Sequence, residues 1–137
     1  MKNSRDLKDL HPTVAQLCKD FIAACKAHGI DVLITSTYRD AESQNALYAQ
    51  GRSSPGKVVT NAKAGQSMHN YKCAFDFVPI VNGKAVWCDA TLFERCGTIA
   101  ESVGLEWAGR WKRFKEMAHC QFTNGLTLRD LQNGKRF

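Results

Sequence analysis

The chain has 137 residues, 44% of them apolar and 23% charged, and 19 Lys and Arg against 13 Asp and Glu give a net charge of +6. That is one domain's length with ordinary globular composition and enough apolar residue to bury a core unaided. No apolar run approaches the roughly 18 residues that a membrane span requires, so stable membrane insertion is excluded. The basic balance favours an anionic partner such as nucleic acid, a membrane surface or a wall polymer, without choosing among them. Arg110, Lys112, Arg113 and Lys115 form the one basic cluster, and alone they read as a solvated face.

The polar stretch from Met1 to Pro12 lacks the apolar centre of a secretory signal. None of the six cysteines (18, 25, 73, 88, 96 and 120) lies in a C-x-x-C pair, so thiolate zinc fingers are not expected. Without a signal, the expectation is a reducing compartment and free thiols, mostly serving as small hydrophobes. No Asp-rich calcium loop is present. With no repeat, linker or low-complexity tract, residues 1–137 read as a single domain.

Taken in order, His11-Pro12-Thr13 opens a helix with proline at its first turn. Val14, Leu17, Cys18, Phe21, Ile22 and Cys25 form its apolar stripe, and Gly29 stops it. Asp31–Ser36 reads as a β-branched strand. Asp40 caps a second helix running to about Gln50, with Gly51 beyond it. Residues 52–66 read as a long surface loop. Cys73–Val81 reads as a buried strand, Asn82-Gly83 as a two-residue hairpin turn and Lys84–Cys88 as the returning strand. Asp89 caps a third helix with Leu92, Phe93, Cys96, Ala100 and Val103 inward and Gly104 at its end. Met117–Phe122 is a further strand, and Thr127–Gln132 a short helix. Helices mixed with antiparallel strands point to an α+β fold, a small antiparallel sheet with helices packed on it.

Of the four histidines, His11 and His28 fall at helix ends, where capping accounts for them. His69 and His119 do not. Asp76 sits inside an apolar strand, where a carboxylate is costly unless a cation or a set of hydrogen bonds meets it. Alternation puts Asp76 with Ala74 and Val78, opposite Cys73, Phe75 and Phe77. His119 and Gln121 share a face opposite Cys120 and Phe122. Glu116 has the wrong parity to join His119 on a straight strand, so the chain must bend near residues 116 and 117. Two histidines and a carboxylate, with a fourth position left to water, make a catalytic zinc shell, and a nearby glutamate supplies a proton carrier. By spacing alone the same residues also fit hydrogen-bonded core histidines.

The order Ser67-x-His69, Ala74-x-Asp76 and Glu116-x-x-His119 resembles the signature of the VanY-like M15 metallopeptidases, the D-alanyl-D-alanine carboxypeptidases and L-alanyl-D-glutamate endopeptidases. Ser36-Thr37-Tyr38-Arg39 with Gln44 and Leu47 resembles the family's arginine-bearing turn. Trp107-Ala108-Gly109-Arg110-Trp111 followed by His119-Cys120-Gln121-Phe122 resembles the phage endolysins of the L-alanyl-D-glutamate branch. The resemblance spans about residues 10–123. It implies Zn2+ on His69, Asp76 and His119, Glu116 as catalytic base and acid, Arg39 binding substrate or steadying the oxyanion, and Ser67 beside the substrate. It further implies a Hedgehog/DD-peptidase-like fold and cleavage of the L-alanyl-D-glutamate bond of peptidoglycan stem peptides. The enzyme is then expected to be a monomer, made in the host cytoplasm, acting on the wall after release, and without nucleic acid as partner. A D-alanyl-D-alanine carboxypeptidase or dipeptidase, and a non-catalytic wall-binding module, are the alternatives. Three positions depart from the family pattern: Lys72 for a glycine, Ala108 for the first glycine after Trp107, and Cys120 for a phenylalanine. Gln44 reads as an exposed helix residue, and Trp107 and Trp111 fit a core and a cleft wall equally well.

Overall fold

In the computed structural model, which describes residues 1–137, the core forms between one face of a five-stranded sheet and two helices. Helix α1 (Pro12–Ala27) begins at His11, whose ring Nδ1 accepts the Thr13 N–H at 3.1 Å. It buries Val14, Cys18, Phe21 and Cys25, then turns into β1 (Asp31–Ser36). Helix α2 (Ala41–Ala49) starts on the Asp40 carboxylate, which accepts the Ser43 N–H at 2.8 Å and so satisfies an orphan donor of the first turn. Strands β2 (Ala74–Val81) and β3 (Lys84–Ala85) are joined through Asn82 and Gly83, both at positive φ as a tight two-residue hairpin demands. Helix α3 (Ala90–Ser102), capped by Asp89, leads to β4 (Glu106–Trp107), β5 (His119–Gln121) and the short α4 (Leu128–Gln132).

The sheet order is β1-β2-β5-β4, with β3 on the far end of β2, and every pairing is antiparallel. Registers Ile34 to Phe77, Phe75 to Cys120 and Trp107 to Cys120 bring these side chains to one face. There Phe21 of α1 meets Phe75 at 5.7 Å and Phe77 at 5.0 Å between ring centroids, and Phe93 of α3 meets Phe77 at 5.5 Å. Trp107 closes the core with its indole over Gly97 and Gly109, where any Cβ would clash with the ring. Asp76 pairs with His119, and Ala74 with Gln121, on the opposite face. The two faces of β2 therefore divide between core and site, and Cys120 points into the core.

All six cysteines are free thiols, and every one but Cys88 is buried. Burial pushes the Cys18 thiol up to about 12, so it stays neutral and packs as an apolar group. No helix is long and apolar enough to cross a membrane.

Two expected strands are shorter than their sequences suggest. The return strand read at Lys84–Cys88 has two paired residues, although the Val86 N–H still reaches the Pro79 carbonyl at 2.9 Å. The strand read at Met117–Phe122 pairs only over His119–Gln121, because Met117 and Ala118 form a turn. Strand β4 is unforeseen: two residues carry no period to detect.

Candidate metal centre

His69 stands on a 3-10 turn, Met68–Tyr71, rather than on open loop. Ser67 caps that turn, its hydroxyl oxygen accepting the His69 N–H at 3.2 Å while Asn70 Oδ1 accepts the Ser67 N–H at 3.2 Å. The His69 ring is fixed by β1's exit: Nδ1–H donates to the Thr37 carbonyl at 2.8 Å. A carbonyl only accepts, so the tautomer is set and Nε2 keeps a free lone pair, 3.2 Å from Asp76 Oδ1.

His119 is fixed in the mirror sense. Its Nε2–H donates to Gln121 Oε1 at 2.8 Å. Nδ1 then lies 3.4 Å from Asp76 Oδ1 and 3.5 Å from Glu116 Oε2, and it is buried without a hydrogen-bond partner. One ligand atom each from His69, Asp76 and His119 fall within 4.8 Å of one another. Two imidazole nitrogens and a carboxylate oxygen, each histidine oriented through its other nitrogen, suit zinc. The orphaned Nδ1 is the atom that a cation would satisfy.

Electrostatics agree with this grouping. Burial raises the pKa of Asp76, but the neighbouring His69 and His119 rings outweigh it and hold the carboxyl well below the usual range. Burial lowers that of His119, yet Asp76 and Gln121 outweigh it, and the net shift is upward.

Glu116 reaches the site because the chain bends. The Met117-Ala118 turn lets the His119 N–H reach the Glu116 carbonyl at 3.4 Å and the Ala118 carbonyl accept the Phe77 N–H at 3.0 Å. The Glu116 side chain is 54% exposed, open to both solvent and the cleft.

Arg39 makes no ion pair with Asp40 or Glu42. Its Nη1–H donates to Gln44 Oε1 at 3.0 Å and its Nη2–H to Ser36 Oγ at 3.2 Å, while Nε is buried without an acceptor. Burial lowers its pKa, and the nearby charges of Asp76 and Glu116 oppose that shift. Gln44, read from sequence as exposed, is fully buried and donates onward to the Ala62 carbonyl at 2.7 Å. Ser36 Oγ–H donates in turn to Asn3 Oδ1 at 3.0 Å. Asn3, Ser36, Thr37 and Gln44 are thus supporting residues to which sequence reading gave no role. Ser36, Thr37 and Gln44 stood in the arginine-bearing motif, whereas Asn3 left no trace.

The two tryptophans divide. Trp107 is core, its Nε1–H donating to the Met117 carbonyl at 2.8 Å. Trp111 walls the site, its ring 5.6 Å from that of His119 and its Nε1–H on Glu106 Oε2 at 2.7 Å. Lys72 ends the His69 turn at φ +63, the left-handed conformation in which a glycine is unstrained. Ala108 is buried, and Gly109 lies directly against the ring of Trp107.

The chain is 39% identical over 128 residues to the peptidoglycan L-alanyl-D-glutamate endopeptidase CwlK of Bacillus subtilis, covering 82% of this chain and 73% of that protein. It is 33% identical over 103 residues to the L-alanyl-D-glutamate peptidase of Listeria phage A118, covering 71% of this chain but only 32% of that longer protein. Among solved structures, the L-Ala D-Glu endopeptidase ChiX of Serratia marcescens superposes with a TM-score of 0.66 at 20% identity, covering 92% of this chain and 86% of that one. A zinc complex of the D,D-pentapeptidase VanY gives 0.64 at 13% identity, over 90% and 78%. These two likenesses speak for the fold. A model of the D-alanyl-D-alanine carboxypeptidase family, VanY, matches residues 7–121, and the chain belongs to that family.

Proposed function

We propose that this protein is a zinc peptidase that cleaves the L-alanyl-D-glutamate bond of peptidoglycan stem peptides. His69 Nε2, His119 Nδ1 and an Asp76 carboxylate oxygen would hold the zinc. When bound, zinc supplies a Lewis acid and makes water nucleophilic at neutral pH. The observation that carries the reading is the buried, unpartnered His119 Nδ1 facing both Asp76 and Glu116. The bond assignment draws on the named activity of CwlK, the relative covered over 73% of its length.

The chain's own groups divide the work. Glu116 makes no second bond that would lock it, so its carboxylate is free to take a proton from the attacking water and hand it to the leaving amine. Arg39 offers its guanidinium charge to the anionic oxygen or to a substrate carboxylate, held in place by Gln44 and Ser36. Ser67 keeps its hydroxyl proton for the substrate while its oxygen caps the His69 turn. Trp111 supplies an apolar wall beside His119.

The test is mass analysis of the products from a defined stem peptide. Release of L-alanine-ended and D-glutamate-started fragments supports the assignment. Release of terminal D-alanine alone makes the enzyme a carboxypeptidase, and an intact peptide overturns the proposal.

A further inference from the structure

The segment between Trp111 and Glu116 enters the proposed chemistry only at its two ends. Its base is closed by a single acceptor: the Ala108 carbonyl takes the N–H of Trp111 at 3.2 Å and that of Glu116 at 3.3 Å. The four residues between, Lys112, Arg113, Phe114 and Lys115, are all exposed. Phe114 is 73% exposed and sits at φ +54. A bulky residue in the left-handed region is a strained outlier, and such strain gathers where function needs it. Here it turns a phenyl ring toward solvent. Arg110, next to the loop, is taken up by Glu94 and Glu101, whereas Lys112, Arg113 and Lys115 enter no ion pair. The one acid in the segment, Glu116, faces His119.

We propose that the Lys112–Lys115 loop is an anchoring surface for anionic groups of the wall matrix that carries the substrate. The inference rests on the peptidase reading for its partner. Both feet of the loop lie in the site, and four residues carry its tip no more than about 10 Å from its base. Whatever bears a peptide seated beside Trp111 and Glu116 is therefore within reach of the tip. Three unpaired cations select phosphate or carboxylate groups there, and the phenyl ring adds an apolar contact between them.

The test uses zinc-loaded enzyme carrying Lys112→Ser, Arg113→Ser and Lys115→Ser together, and separately Phe114→Gly. Each is measured for hydrolysis of a short soluble stem peptide, for co-sedimentation with intact walls, and for wall solubilisation at low and high salt. The triple variant is expected to cleave the peptide within about two-fold of wild type, while wall binding and solubilisation fall about ten-fold at low salt. The gap should narrow at high salt, where exposed charges are screened. Phe114→Gly should raise the thermal midpoint, by removing the strained conformation, and still weaken wall binding. On walls stripped of phosphate polymers, a vanished gap identifies phosphates as the anchor and a persistent one identifies peptide carboxylates. Wild-type wall binding by the triple variant, or equal losses on peptide and walls, overturns the proposal. If wild type binds walls through the loop yet cleaves no stem peptide, the anchor stands and the peptidase reading fails.

Discussion

At the scale of single residues, the site depends on hydrogen bonds that decide which atom of each side chain is left free. Thr37 and Gln121 do this for the two histidines; Gln44, Ser36 and Asn3 do it for Arg39. Asn3 lies outside the residues 7–121 matched by the family model, yet it fixes the hydroxyl that holds the guanidinium. Asn3→Ala is therefore expected to lower kcat/KM about ten-fold, because small misplacements of a positioning group are costly, while the zinc content and thermal midpoint stay near wild type. Steady-state kinetics on a stem peptide checks this, and an unchanged kcat/KM refutes it. Lys72 makes a second case. Its left-handed backbone costs about 1–2 kcal/mol for an L-residue, partly offset because glycine would loosen the unfolded chain by about 0.4–1 kcal/mol. Urea unfolding of Lys72→Gly should show a gain of up to about 1.6 kcal/mol.

At the scale of elements, β2 carries the design: one face supplies Phe75 and Phe77 to the core and the other supplies Asp76 to the site. Trp107 of β4 locks the far side of the core, and it needs bare backbone at Gly97 and Gly109. Gly97→Ala should cost about 1–3 kcal/mol in denaturant unfolding through overpacking. An unchanged midpoint would mean that the indole is free to move aside. Helices α1, α2 and α3, strand β1 and the Asn82-Gly83 turn were legible in the sequence, because each has a long period or a specific cap. The divided faces of β2 were legible from strict alternation around Asp76. The bend before His119 was legible as a requirement, from the odd parity of Glu116. Strand β4 and the 3-10 turn under His69 were not, since neither is long enough to show a period. Gln44 was misread because a buried glutamine looks like an exposed one until its partners, Arg39 and the Ala62 carbonyl, are placed by the fold.

At the scale of the whole molecule, the sheet and its flanking turns hold together ionisable groups that either a proton or a metal cation can satisfy. In the metal-free protein the raised pKa of His119 favours its protonated form, so its contribution to stability is full below the ordinary value of 6.5 and is lost as pH rises through the folded value. Zinc requires the neutral ring, and so its contribution runs the other way. Chelation should therefore lower the thermal midpoint more at about pH 8 than at about pH 6, a comparison that scanning fluorimetry makes directly. An equal drop at both values would mean that His119 does not bind the metal. The central claim is that three residues hold zinc and a fourth, Glu116, moves the proton. It is tested most directly by measuring zinc content and stem-peptide hydrolysis together in wild type and Glu116→Ala. The structure predicts about one zinc per chain in both proteins and a loss of hydrolysis of at least about 100-fold in the variant. Wild type without zinc, or a variant that hydrolyses normally, would contradict it.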